Sequence, residues 1–305
     1  MTTVPARLNP GLWTILTTPF TSDASRVDHH SMARQIHLAH ESGSDGLVVL
    51  GVFGEASSLS LLEQRQVVAT AAHEAGHLPL VVGIASRSTV TAMEQADNAL
   101  AGVGDSADTA TLMVQINSGV TGVVVDHLEA IHAATGASIV LQDYPAASGV
   151  HTPTSRVMEV AGLCSFVTAI KAEAPPTPQA IAELTAATWV PVFGGLGGVG
   201  LLDELNAGAG GVMTGFSHPE GLRAAIDAYQ SGGFAAARSA WQPWLPLANF
   251  EAQHGIGLAL RKMLLHRRGI LQSPAVRPPS LTMPPVLQPL LEDHLAAVST
   301  LERAS

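Results

Sequence analysis

Lysine and tyrosine are nearly absent from this 305-residue chain, which has two of each: Lys171 and Lys262, Tyr144 and Tyr229. Chemistry that needs an amine nucleophile or a phenolic proton donor therefore has very few candidates. Cysteine is rarer still. Cys164 stands alone, so no intramolecular disulfide can form, and a reducing, cytoplasmic compartment is expected. Charged residues make up 13% of the chain, about half the usual quarter, with a net charge of −10 and no basic stripe. That balance argues against a nucleic-acid partner, whose phosphates call for lysine and arginine. No apolar run approaches the roughly 18 residues that span a bilayer, and the first ten residues contain no apolar signal-peptide core, so neither a membrane segment nor a leader is expected.

What the chain has is hydrophobic residues, 47% of the total, arranged in a repeating pattern. Eight short apolar runs fall at residues 13–17, 46–50, 80–83, 111–115, 138–142, 167–171, 191–194 and 211–214. Between them lie stretches at helical spacing, such as 31–42, 61–75, 89–102 and 178–187, and a short polar segment at 104–111. Ser60 followed by Glu63 reads as a capping box, and Pro178 suits a first helical turn. Continuous apolar strands alternating with helices imply a parallel sheet, and eight units in about 220 residues imply an α/β fold of the (β/α)8 TIM-barrel type. Residues 1–220 are assigned to the barrel. Residues 221–305, with helical patterns at 221–232, 234–250 and 255–268 and a proline-rich stretch at 274–289, are assigned to a C-terminal helical extension packed on it.

In such a barrel, chemistry belongs at the C-terminal strand ends. Lys171 closes the apolar run 166–170, where apolar walls would disfavour an ammonium and leave a neutral amine able to attack a ketone. The plainer reading is a structural lysine paired with Glu173. Asp143, Glu173 and His218 also fall at strand ends, as general acids or bases or as hydrogen-bonded anchors. His73-Glu74-Ala75-Gly76-His77 matches a zinc-protease pattern, but Gly76 should end the helix and the site would lie at the wrong face, so no metal is expected. Gly195-Leu196-Gly197-Gly198-Val199-Gly200 comes too late in the chain for a dinucleotide fold, and with Gly194 it reads instead as a loop lining the substrate mouth. Cys164 reads as a small buried hydrophobe.

These strand ends resemble those of the dihydrodipicolinate synthase / N-acetylneuraminate lyase family of class I aldolases, over residues 11–279. The resemblance is carried by Thr17-Thr18-Pro19-Phe20, by Gly51-Val52-Phe53-Gly54-Glu55, by Leu59-Ser60 with Glu63-Gln64-Arg65, by Ile170-Lys171, by Gly208-Ala209-Gly210-Gly211-Val212 and by Arg277-Pro278-Pro279. It implies that Lys171 is a Schiff-base nucleophile needing no cofactor, and that the chain forms a dimer or tetramer. The departures are informative. Val52 and Phe53 replace the family's hydroxyl residues, leaving backbone N–H groups of the Val52, Phe53, Gly54 turn to bind a carboxylate. Gln142 replaces the catalytic tyrosine, Asp143 the following asparagine, and Ala147 the arginine of dihydrodipicolinate synthases. No second relay tyrosine follows strand four. Tyr144 sits two positions late, so its ring is expected to point elsewhere. Gln142-Asp143 and Pro145 with Lys171 and Glu173 are similar to the branch that contains 2-keto-3-deoxy-L-arabonate dehydratases.

The resulting expectation is a lyase of aldolase type in which Lys171 forms an imine with a 2-oxo acid, such as pyruvate or a 2-keto-3-deoxy sugar acid. Asp143 and Glu173 are the expected proton carriers, and Val52, Phe53, Gly54, Gln142, Gly194 and Gly195 the expected substrate contacts. The alternatives are dehydration through the same imine and a non-catalytic barrel that only binds a metabolite.

Overall fold

The computed structural model describes residues 7–104 and 110–304, the side chains of 300–304 excepted; residues 105–109 of the polar segment 104–111, and residues 1–6 of the N-terminal reading, lie outside the described residues. Eight parallel strands close into a barrel in sequence order: β1 (Gly11–Ile15), β2 (Gly46–Val49), β3 (Leu80–Ile84), β4 (Thr111–Gln115), β5 (Ile139–Asp143), β6 (Val167–Ala172), β7 (Val192–Gly194) and β8 (Gly211–Thr214). The register of β1 on β8, from Gly11↔Gly211 to Thr14↔Thr214, closes the ring. All eight lie on the apolar runs, with ends displaced by one or two residues.

The surrounding helices are α1 (His29–Glu41), α2 (Leu61–Glu74), α3 (Thr89–Val103), α4 (Thr121–Thr135), the short α5 (Pro145–Ser148), α6 (Thr154–Leu163), α7 (Thr177–Ala187), α8 (Leu201–Asn206) and α9 (Pro219–Trp241). Ser60 and Glu63 cap α2 reciprocally, satisfying two orphan N–H groups. The helix stops at Glu74, and Gly76 turns left-handed (φ +59°), so His73 and His77 share no continuing helical face.

The tail departs from the predicted spacing. α9 is broken by a kink at Gly233 (φ +69°), as the separate patterns 221–232 and 234–250 predict; the departure lies further on. A second break falls at 242–244, where Pro243 has no N–H to continue the ladder, and α10 (Leu245–Glu251) follows. After α11 (Gly257–Arg267), a further helix, α12 (Gln288–Ala304), covers a stretch where no helix was predicted. These elements pack on the barrel: Leu247, Leu260 and Leu291 share one apolar cluster with Leu12 and Val212.

Inside the barrel, Trp13, Ile15, Val48, Val81, Met113, Val140, Ala169, Phe193 and Met213 form an apolar plug. Side chains alternate along a strand, so Gln115, Gln142 and Lys171, each two residues beyond Met113, Val140 and Ala169, enter the barrel just above that plug. This alternation positions the site.

Lys262, the second lysine, is fully buried on α11. It pairs with Glu55, donates to the Ala275 carbonyl at 2.9 Å and lies 4.3 Å from the Phe20 ring centroid. Arg277 holds both Glu63 oxygens and the carbonyls of Ala24, Ser25 and Ser58, and its N–H donates to Glu55 Oε1 at 3.1 Å. The acid of the Gly51–Glu55 loop thus clasps the tail to the barrel. Among the described residues, no helix is long and apolar enough to cross a membrane.

Candidate active site

Gln115, Gln142 and Lys171 are register neighbours on β4, β5 and β6. Glu173 follows β6 two positions after Lys171 and returns to the same face. Its Oε2 lies 2.9 Å from Lys171 Nζ and accepts from Gln142 Nε2 at 2.7 Å, while Oε1 accepts from the Leu196 N–H at 3.4 Å. The backbone assists, the Glu173 N–H donating to the Asp143 carbonyl at 2.8 Å. Both members of the ion pair are nearly inaccessible, at 4% and 5% exposure. This corrects the expectation of an amine facing only apolar walls. The apolar run leads to the site, but burying a lone ammonium would cost several kcal/mol, and the Glu173 carboxylate offsets that cost. The same carboxylate is the group placed to accept a proton from Lys171.

The chamber around Lys171 measures about 20 Å³ and is walled further by Phe53, Tyr144, Leu196 and Thr214. Beside it lies a cavity of about 310 Å³ that shares Val52, Met113 and Gln142 with the chamber.

Tyr144 does not point elsewhere. Alternation continues one residue past the end of β5, so Gln142 and Tyr144 face the chamber while Asp143 faces away. Burial and the charge of Glu173 raise the Tyr144 phenol above its ordinary range, with Arg261 opposing. Asp143 lines neither cavity. Burial, reinforced by Glu173 and opposed by His151, pushes its carboxyl up to about 6, and its Oδ1 has no hydrogen-bond partner among the described residues.

Val52, Phe53 and Gly54 form a single 3-10 turn. Gly54 N–H is already used by the Gly51 carbonyl and Glu55 N–H by the Val52 carbonyl. The donors left for an anion are therefore the N–H groups of Val52 and Phe53, not that of Gly54. The Phe53 ring also covers the Arg261 guanidinium, 4.0 Å away.

Gly194 and Gly195 do not line the chamber as substrate contacts. A Cβ on Gly194 would collide with the Glu204 carboxylate, and one on Gly195 with that of Glu173. They are small because carboxylates occupy their side-chain space. The next residues take the lining role: Leu196 walls the chamber, and the Gly197 N–H (φ +72°) donates to Thr214 Oγ1 at 2.8 Å.

His218 is also repositioned. It lines neither cavity, shares a 2.8 Å hydrogen bond with Ser217 Oγ and packs on Phe216 and Trp244. Burial, with Arg268, pushes it down to about 3, so it is a neutral packing group. Cys164 is buried and its thiol is raised to about 11 by burial.

Two buried groups escape any strand-end search because they sit on helices. Glu204 on α8 accepts from Thr177 Oγ1 at 2.7 Å and is pushed up to about 7, by burial above all and further by the charge of Glu173. Arg261 on α11 donates from Nε to Glu251 at 3.0 Å, and its Nη1 has no hydrogen-bond partner among the described residues.

A sequence model of the Dihydrodipicolinate synthetase family matches residues 9–298. Among curated relatives, the L-2-keto-3-deoxyarabonate dehydratase of Azospirillum brasilense is 27% identical over 309 residues, covering 98% of this chain and 96% of its own. The 4-hydroxy-tetrahydrodipicolinate synthase of Synechococcus sp. (strain CC9902) is 31% identical over 308 residues, covering 97% and 99%. The crystal structure of dihydrodipicolinate synthase from Rhodopseudomonas palustris superposes with a TM-score of 0.87 at 25% identity, covering 96% of this chain and all of the other.

Proposed function

Because the chain belongs to the dihydrodipicolinate synthetase family and is an enzyme of the lyase type, we propose that Lys171 forms an imine with the ketone of a 2-oxo acid. The observation that carries this reading is the buried pair of Lys171 and Glu173 at the C-terminal end of the barrel. Lys171 Nζ passes a proton to Glu173 and attacks C2. The carbinolamine loses water, and the resulting iminium draws electrons from C3. The N–H groups of Val52 and Phe53 face the carboxylate, and the Tyr144 hydroxyl serves as a second proton carrier. The iminium itself is the electron sink, so the reaction needs no metal or organic cofactor.

Two outcomes follow from this intermediate. In the first reading, the C4 hydroxyl gives its proton to a base and becomes the carbonyl of a departing aldehyde, the C3–C4 bond breaks, and its electrons enter the iminium as the enamine of pyruvate. In the second, a base removes a C3 proton to give the enamine, and the C4 hydroxyl takes up a proton from the protonated base and leaves as water. Dehydration is favoured by Gln142 in place of a tyrosine and by the Azospirillum brasilense relative, named a dehydratase. The enzyme acts in the cytoplasm as a homo-oligomer, a dimer or tetramer, a reading supported by the family and by the single buried thiol.

Borohydride reduction in the presence of pyruvate or a longer 2-oxo acid, followed by peptide mass mapping, tests the imine. A reduced adduct on Lys171 is expected, and its absence with every 2-oxo acid tried would overturn the reading. Release of pyruvate from a 2-keto-3-deoxy sugar acid separates C–C cleavage from dehydration.

A further inference from the structure

The chamber at Lys171 has room for about one water molecule. It therefore holds only the reacting atoms of a 2-oxo acid, and the rest of the substrate must lie elsewhere. The neighbouring cavity of about 310 Å³ is the continuation, because Val52, Met113 and Gln142 belong to both. Its size suits a small metabolite several carbons longer than pyruvate.

The chemistry of that cavity is one-sided. Among the described residues, Arg87, just beyond β3, is the sole charged residue in its lining, and no carboxylate lines the cavity with it. Arg87 is held across the mouth from both directions: its Nη1 donates to the Ser148 carbonyl on α5, and its own carbonyl accepts from Asn117 Nδ2 at 3.1 Å. One carbonyl uses one of the five guanidinium N–H groups, leaving donors for an anion. Deeper in, the Gln115 side chain makes no hydrogen bond among the described residues and sits beside Gln142 in register. A free amide between an apolar wall and a cation suits hydroxyl groups along a chain.

Resting on the imine reading above, we propose that the cavity between Gln142 and Arg87 is a distal subsite for a 2-oxo acid with a second, anionic end, Arg87 holding that anion and Gln115 the polar middle. The substrate class is then a 2-oxo dicarboxylate or an equally dianionic sugar acid, not pyruvate alone.

The test titrates borohydride-trapped adduct on Lys171 against pyruvate, 2-oxohexanoate and 2-oxoadipate; the last two have equal chain lengths but a neutral and an anionic end. Wild type should reach half-maximal trapping with 2-oxoadipate at a concentration roughly tenfold or more below that for 2-oxohexanoate, as one charge-assisted contact implies. Arg87→Gln should erase that preference, and Arg87→Lys should restore part of it. No preference in wild type, or a preference that survives Arg87→Gln, overturns the subsite. Adduct with none of the three acids instead overturns the imine reading. Calorimetry then still decides the subsite: 2-oxoadipate binding roughly tenfold weaker in Arg87→Gln supports it, and equal binding overturns it.

Discussion

Lys171 Nζ and Glu173 Oε2 lie 2.9 Å apart at the inner end of β6, separated in sequence only by Ala172, whose side chain belongs to the opposite, helix-facing core. The relationship is local, because residues i and i+2 share a strand face. Its precision is not local: Gln142 on β5 and Leu196 after β7 hold the carboxylate from either side. The carboxylate is thus fixed by neighbours as well as by the lysine.

Glu173→Gln should retain the fold and lower turnover by roughly 10²- to 10⁴-fold, the usual contribution of a positioned acid–base group. Lys171→Ala should leave no trappable adduct at all. Single-turnover kinetics check both, and a Glu173→Gln rate close to wild type would remove this carboxylate from the proton path.

Tyr144 and Asp143 make a second, discriminating pair. Tyr144→Phe should slow imine formation by about 10²-fold, because the Tyr144 side chain lines the chamber. Asp143→Asn should change it by no more than a few-fold, since its side chain is on the other face. Stopped-flow trapping reads both variants, and the opposite ranking would return the shuttle to Asp143.

Glu204 predicts a pH dependence of stability. Its carboxyl rises from the ordinary 4.5 to about 7 in the fold, chiefly through burial. Between those values the folded state binds more protons than the unfolded state, so this contribution to stability is complete below about pH 4.5 and is lost as pH rises through 7. Glu204→Gln keeps the Thr177 hydrogen bond without the ionisation, and above pH 8 should be more stable than wild type by on the order of 2–3 kcal/mol. Urea unfolding at pH 5 and pH 8 measures this, and an equal difference at the two pH values would refute it.

The buried pair of Glu55 and Lys262 should behave as a unit. Lys262→Met or Glu55→Gln alone should cost about 3–5 kcal/mol by stranding a buried group, whereas the double variant should recover most of it. A double-mutant cycle by chemical denaturation reports the coupling, and additive losses would show that no pair exists.

The barrel was legible because buried parallel strands and their covering helices carry opposite periodicities, and the eight apolar runs match eight strands. Lys171 was legible for the same reason, as the polar end of an apolar run in a chain almost without lysine. The tail was less so. Gly233 does interrupt α9 with a kink, but the spacing does not foresee the break after Trp241, and α12 follows a proline-rich stretch whose composition conceals the helix beyond it.

The sequence by itself determined the fold class and the one lysine at a strand end, since both follow from residue type and local period; that Gln142 stands at the family's tyrosine position is what the resemblance implies. Only the tertiary structure decided what surrounds that lysine. Tyr144 enters the chamber and Asp143 leaves it according to where β5 stops alternating. Gly194 and Gly195 are space for two carboxylates, and His218 is packing. Arg87 reaches the cavity beside the chamber, and Glu204 and Arg261 are buried against Thr177 and Glu251, from elements far apart in the chain. The two lysines, alike in the sequence, separate for the same reason: burial, counter-ions and cavities arise from three-dimensional packing, which assigns Lys262 to a clasp and Lys171 to the chamber.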